Sequence, residues 1–110
     1  MSGQDRRRFP RLKAPVFCRP AGLRFHGKGE AQDIGLGGAR VFADEPAERG
    51  TLLELELILP DGSSIVCKAT VAWTDALPAG SPARFDVGLQ FTDVSDADRR
   101  LLASVLEAKE

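Results

Sequence analysis

Near the amino terminus, five positive charges fall within eight residues, Arg6-Arg7-Arg8-Phe9-Pro10-Arg11-Leu12-Lys13. A guanidinium group binds a phosphate, or the O6 and N7 edge of guanine, through two parallel hydrogen bonds. Pro10 fixes its own backbone angle φ and favours an extended Phe9, which displays Arg7 and Arg11 on either side of a short bend. The segment predicts binding of a phosphate or a guanine base, although a charged terminus that meets only solvent is the alternative.

A second candidate is the glycine-rich segment Asp33-Ile34-Gly35-Leu36-Gly37-Gly38. Three glycines in four positions allow unusual backbone angles and a close approach of a ligand. Taken alone, a glycine-rich β-turn explains the segment. Its spacing does not match a dinucleotide-binding fingerprint, and no Gly-Lys-Ser or Gly-Lys-Thr follows it, so nucleotide hydrolysis is not indicated.

The residues that most often carry metal or acid-base chemistry are sparse. Cys18 and Cys67 have no near neighbours in His or Cys for a zinc site, and we predict that both are small buried residues. His26 has no Ser, Cys or second His beside it to form a catalytic pair. We therefore expect neither a metal site nor an enzyme.

Alternating apolar and polar residues predict the strands that must position these groups. One strand, Leu53 to Leu59, and its return strand, Ile65 to Trp73, form a hairpin around the reversal Pro60-Asp61-Gly62. A loop from Asp75 to Pro82 separates them from a strand over Phe85 to Phe91. The residues predicted to face the core on these last two strands are Ile65, Cys67, Ala69, Val71 and Trp73, then Phe85, Val87, Leu89 and Phe91.

Three shorter strands are predicted earlier, over Val16 to Phe25, Glu30 to Asp33 and Ala39 to Phe42, with Pro20 marking an edge or a bulge. Near the carboxyl terminus the period changes to three and four, which predicts a helix of about 12 residues with Ser95 as its cap. Its predicted apolar face is Ala97, Leu101, Leu102, Val105 and Ala108. Six antiparallel strands and one helix predict a single all-β domain, a small barrel or curled sheet with the helix at one end.

Charge is divided unevenly along the 110 residues, which suffice for one domain. Residues 1–40 carry a net charge of +6 and residues 41–110 a net charge of -7, so an anionic ligand is expected to prefer the first part. No apolar run approaches the roughly 20 residues of a membrane span, and no apolar signal segment follows the first residues. We expect a cytoplasmic protein.

Together the two candidate segments resemble the PilZ family, bacterial receptor domains for cyclic di-GMP. That family pairs an Arg-x-x-x-Arg motif, here Arg7 to Arg11, with a later Asp/Asn-x-Ser-x-x-Gly motif, here Asp33 to Gly38. Gly35 stands where the family pattern has serine. Val71-Ala72-Trp73 is similar to the family's strand that ends in Trp, and Val87-Gly88-Leu89-Gln90-Phe91 is similar to its last strand.

The resemblance implies a six-stranded antiparallel β-barrel over residues 14–110, ending in an α-helix, with a basic arm over residues 1–13 that folds across the ligand. It implies cyclic di-GMP as ligand and no cofactor. Arg7, Arg8 and Arg11 would contact phosphates and guanines, and Asp33 would accept hydrogen bonds from the N1 and N2 donors of guanine. Gly35 and Gly38 would permit close approach, and the missing serine hydroxyl predicts weakened binding.

The expected function is a receptor or adaptor that couples cyclic di-GMP to an effector protein when the ligand holds residues 6–13. One alternative is a member of the same fold that has lost the ligand and works by protein contact, as some PilZ proteins linked to type IV pili do; Gly35 favours it. The other alternative is a nucleic-acid-binding barrel that uses the basic arm. It fits less well, because such proteins need exposed aromatic platforms and the chain has no Tyr.

Overall fold

The computed structural model describes residues 16–21 and 24–107. These residues form six strands followed by one helix. The strands are β1 (Phe17–Pro20), β2 (Ala31–Ile34), β3 (Gly38–Ala43), β4 (Leu52–Ile58), β5 (Ser64–Ala76) and β6 (Phe85–Asp93), and the helix is α1 (Asp96–Glu107).

All six strands belong to one antiparallel sheet in the order β1-β4-β5-β6-β3-β2. The sheet curls until its two edges meet, because Phe17 forms an antiparallel bridge with Glu30. Backbone hydrogen bonds join the edges there, from Cys18 N–H to the Gly29 carbonyl at 2.7 Å and from Ala31 N–H to the Val16 carbonyl at 2.8 Å. The predicted mainly β architecture with a carboxy-terminal helix is confirmed.

A single core fills the inside of the curled sheet. Strands β4 and β6, and β5 as far as Val71, alternate as predicted, and their inward residues Leu55, Ile65, Val71 and Val87 are almost fully buried. Cys18 and Cys67 are also buried there as free thiols, which confirms their predicted role as small core residues. Burial, together with the neighbouring Cys67, raises the pKa of Cys18 to about 12.

Two strand boundaries differ from the prediction. Strand β1 ends at Pro20 and does not continue to Phe25, because proline has no N–H to donate to a ladder. As predicted for a strand containing this proline, β1 lies at an edge of the sheet. Strand β5 continues through Asp75 to Ala76, which were predicted to lie in or near a loop, because the residues from Phe85 onward pair with them.

The inward position predicted for Trp73 is wrong. The pairing register between β5 and β6 shifts between Val71 and Trp73, so that Val71 pairs with Leu89 and Trp73 with Gly88. Such a bulge adds one residue to β5 and reverses the face on which the next side chains lie. Trp73 is therefore on the outer face, with 38% of its surface exposed.

Local signals in the predicted turn and helix cap are confirmed. Gly62 has a φ of 92°, which favours glycine, and Asp61 accepts hydrogen bonds from the backbone N–H and hydroxyl of Ser63 at 2.9 Å and 2.6 Å. Ser95 Oγ accepts a hydrogen bond from Asp98 N–H at 3.1 Å.

Helix α1 buries Leu102 and Leu106 against the core. Ala97, predicted on the apolar face, is exposed, and Ala108 lies outside the described residues. Leu106 was not predicted there, yet it continues the spacing of four from Leu102. Among the helices in the described ranges, none is long and apolar enough to cross a membrane.

Candidate functional site

The segment Asp33 to Gly38 connects β2 to β3 at one end of the sheet. Gly35 N–H donates a hydrogen bond to the Gly38 carbonyl at 2.9 Å, and Phe91 N–H donates one to the Gly37 carbonyl at 2.9 Å. The connection is thus a tight turn tied to β6. Neither Gly37 nor Gly38 has a positive φ, so the unusual backbone angles predicted for this segment are not used at those two positions.

The protein fold itself requires glycine at position 38. A Cβ added to Gly38 would overlap the backbone carbonyl of Leu89 on β6. A backbone carbonyl cannot swing aside as a flexible side chain can, so β3 and β6 pair here only because no side chain separates them. The close approach of a ligand to Gly38 stays a prediction.

Four residues form one row across the outer face of the sheet. Asp33 pairs with Arg40, Arg40 pairs with Gly88, and Gly88 pairs with Trp73. Paired residues of an antiparallel sheet lie on the same face, and adjacent strands are about 4.8 Å apart, so the row spans about 14 Å. It brings the predicted ligand contact Asp33 beside three residues that were not predicted to belong to a site.

The indole of Trp73 covers Gly88. A Cβ on Gly88 would overlap the Cε2 and Nε1 atoms of this ring, and Gly88 is buried although it lies on the outer face. The ring therefore occupies the space over Gly88, at the far end of the row from Asp33. It offers an aromatic surface on which a planar base can stack.

Arg40 and Asp86 form an ion pair on this face. The Arg40 Nη1 atom lies 3.0 Å from Asp86 Oδ2, and the side chains are 36% and 18% exposed. The second carboxylate oxygen, Asp86 Oδ1, is buried without a hydrogen-bond partner. Sequence analysis missed Arg40, although its position two residues after Gly38 on an alternating strand placed it on the outer face.

Asp33 differs from Asp86 in having no such partner. Its residue is exposed, and within residues 16–21 and 24–107 its carboxylate makes no hydrogen bond or ion pair. An exposed carboxylate beside a tight turn can accept hydrogen bonds from an incoming N–H donor. Its geometry is compatible with the contact predicted for it.

Of the six predicted ligand-binding residues, Asp33, Gly35 and Gly38 lie together in this turn. Arg7, Arg8 and Arg11, with the predicted arm over residues 1–13, lie outside the described residues, so their roles stay predictions.

His26 has an acidic partner that sequence analysis did not find. The His26 Nδ1 atom lies 2.7 Å from Asp44 Oδ2, a residue 18 positions away in the chain. Both side chains are about half exposed, at 42% and 52%. Asp44 lines a separate depression of about 910 Å³ near β1, whose lining also carries Arg19, Arg24 and Lys28, and His26 lines a smaller one of about 360 Å³ beside it. Mixed charge gives the larger depression no strong preference for an anion.

A comparison with protein families matches residues 5–108 to the model of the PilZ domain. Comparison with curated proteins gives no match.

Three solved structures share the fold. Bacillus subtilis inhibitor of motility (MotI/DgrA) is 21% identical with a TM-score of 0.72, over 93% of this chain and 49% of that one. K. pneumonia MrkH in its apo state is 18% identical with a TM-score of 0.70, over 99% of this chain and 52% of that one. The PilZ domain of YcgR from Escherichia coli with c-di-GMP is 22% identical with a TM-score of 0.65, over 94% and 91%. The chain thus spans about half the length of MotI and of MrkH.

Proposed function

Because this chain belongs to the PilZ domain family, we propose that it is a receptor for cyclic di-GMP that couples this messenger to a partner protein. The related YcgR domain was solved with c-di-GMP, which supports this choice of ligand. Such a receptor would act in the cytoplasm by binding and not by catalysis.

The observation that carries the proposal is the row from Asp33 to Trp73 on the outer face. One end offers the carboxylate of Asp33, which has no partner among the described residues, for the N1 and N2 donors of a guanine, and the other end offers an indole for base stacking. Cyclic di-GMP has two guanines joined by two phosphodiester groups, so it can use both ends of a surface about 14 Å wide. Arg7, Arg8 and Arg11 would approach from the amino-terminal arm and bind the phosphates and guanine edges.

Gly35 favours a second candidate function. A serine hydroxyl at this position would supply one hydrogen bond to the ligand, and its loss weakens binding by roughly tenfold to a hundredfold. If a glycine amide or a water molecule does not replace that bond, the domain would work only through protein contact. MotI is described as an inhibitor of motility, so a motility component is one class of partner to test.

Isothermal titration of cyclic di-GMP into the protein tests the proposal. The decisive variant is Arg7→Ala with Arg11→Ala, and the matched control is Arg99→Ala with Arg100→Ala, which removes the same charge from exposed positions of α1. We expect micromolar binding that is lost in the first variant and kept in the control. Equal losses in both would point to non-specific attraction by charge, and an absence of heat at high ligand concentration would refute the receptor function.

Coupling to a partner has its own test. If the ligand holds the arm against the barrel, cyclic di-GMP slows hydrogen exchange of the amides in residues 6–13. The same addition to the Arg7→Ala, Arg11→Ala variant leaves exchange unchanged. Unchanged exchange in the wild-type protein, at a ligand concentration that saturates it, would contradict the coupling mechanism but not the binding.

A further inference from the structure

Arg40 lies between two carboxylates and pairs with its diagonal neighbour, not with the carboxylate opposite it in the register. Asp33 is its direct register partner on β2. Asp86 is a diagonal neighbour on β6, because it pairs with Phe42. Directly opposed Cβ atoms are about 4.5 to 5.5 Å apart, and diagonal ones are about 7 to 8 Å apart. The Arg40 guanidinium nevertheless contacts Asp86 at 3.0 Å and makes no contact with Asp33.

The surroundings of the two carboxylates explain this choice. Asp86 is only 18% exposed, so water screens its attraction for Arg40 less than it screens that of the exposed Asp33. The other oxygen of Asp86, Oδ1, is buried and has no hydrogen-bond partner. Among the described residues, Arg40 is therefore the only ion-pair partner of this carboxylate.

We propose that Asp86 is a positioning residue of the ligand site, an inference that rests on the proposed function. Asp86 holds the Arg40 guanidinium away from Asp33, and Asp33 consequently stays free to accept hydrogen bonds from the N–H donors of guanine. Without the Asp86 charge, Arg40 turns to Asp33, its register partner on β2, and occupies the acceptor that the ligand needs.

The test is the affinity of the Asp86→Asn variant for cyclic di-GMP. Its neutral amide still fills the space but holds a guanidinium less strongly than an ionised carboxylate does. We expect affinity to fall by about twofold to fivefold, the factor that an exposed ion pair between Arg40 and Asp33 would contribute. If only net charge mattered, Asp86→Asn would bind cyclic di-GMP more tightly than wild type does, because the ligand is anionic and the variant has lost a negative charge.

Asp75→Asn is the matched control. Asp75 lies opposite Asp86 across β5 and β6 and is exposed. This variant removes the same charge and leaves both residues of the ion pair, Arg40 and Asp86, in place. We expect equal or tighter binding in the control. Tighter or unchanged binding in Asp86→Asn would overturn the proposal.

The second arm removes Arg40. The Arg40→Met substitution keeps an unbranched side chain but removes its charge. In this background, Asp86→Asn is expected not to weaken the binding of cyclic di-GMP. A weakening that persists there would show that Asp86 acts through the fold and not through Arg40, and would overturn the proposal.

A measurement without ligand separates this inference from the proposed function. The NMR signals of the Arg40 guanidinium in the free protein are expected to stay unchanged in Asp33→Asn and to shift in Asp86→Asn. In the Asp86→Asn background, adding Asp33→Asn is expected to shift them again. A shift in Asp33→Asn alone would overturn the positioning role. If the wild-type protein gives no heat with cyclic di-GMP, the proposed function fails, and these spectra still decide which carboxylate holds Arg40.

Discussion

Trp73 lies over Gly88 so closely that a methyl group on this glycine would overlap the indole ring. The contact joins β5 to β6 on the outer face, at the end of the row that begins with Asp33. The bulge between Val71 and Trp73 places Trp73 opposite position 88 on the neighbouring strand. Glycine at this position leaves room for the indole.

Gly88→Ala is expected to displace the indole and to lower the free energy of unfolding by about 1 to 3 kcal/mol, the usual cost of overpacking. Trp73 is the single tryptophan of the chain, so its fluorescence reports this displacement directly as a shift of the emission to longer wavelength. Gly37→Ala is the control, because a Cβ there meets no atom within 4 Å. An emission spectrum that is the same in both variants would contradict the contact.

Gly38→Ala is expected to destabilise the fold more than Gly37→Ala does. The added Cβ at position 38 would overlap the backbone carbonyl of Leu89, and β3 must move away from β6 to relieve it. The loss should be about 1 to 3 kcal/mol, against less than about 0.5 kcal/mol for the open position 37. Urea unfolding of both variants measures the difference. Equal midpoints would mean that Gly38 is required only for ligand binding.

Gly35→Ser is expected to tighten the binding of cyclic di-GMP. The new hydroxyl restores one hydrogen bond to a charged ligand, worth about 1.5 to 3 kcal/mol, which corresponds to roughly a tenfold to hundredfold gain in affinity. Titration calorimetry measures it, with Gly37→Ser as a control that adds the same side chain at a position that the motif leaves unspecified. Equal affinities of wild type and Gly35→Ser would show that the hydroxyl is already replaced.

The buried thiol Cys18 is expected to make stability fall at alkaline pH. Its pKa is raised to about 12 in the folded protein from an ordinary value of 9.0, so the native state holds more protons than the unfolded state between these values. The stabilisation is complete below pH 9 and is lost as the pH rises toward 12, at up to about 1.4 kcal/mol per pH unit. Burial raises the pKa of Cys67 as well, so this thiol acts in the same direction.

The comparison that isolates this effect is unfolding of wild type and Cys18→Ala at several pH values. Both lose stability to other titrations, but only wild type loses the contribution of Cys18. The difference between their free energies of unfolding is therefore expected to decrease from about pH 9 upward. Parallel curves would rule out a raised pKa for this thiol.

The sequence by itself determined most of the secondary structure, because the signals involved are local. Alternation of apolar residues in β4 and β6 predicted their inward faces, Asp61 and Gly62 predicted the turn, and Ser95 predicted the helix cap. The two candidate segments were likewise readable as spacings. Asp33, Gly35 and Gly38 are near one another in the chain, so one tight turn was enough to bring them together.

Only the tertiary structure decided which other residues share the face with Asp33. Arg40, Gly88 and Trp73 lie on three strands whose relative register depends on hydrogen bonds between distant segments. The bulge on β5 moved Trp73 from the predicted core to the outer face, and no local pattern announced that extra residue. The choice of Asp86 over Asp33 as partner for Arg40 depends on burial, and burial is a property of the folded chain that spacing does not encode.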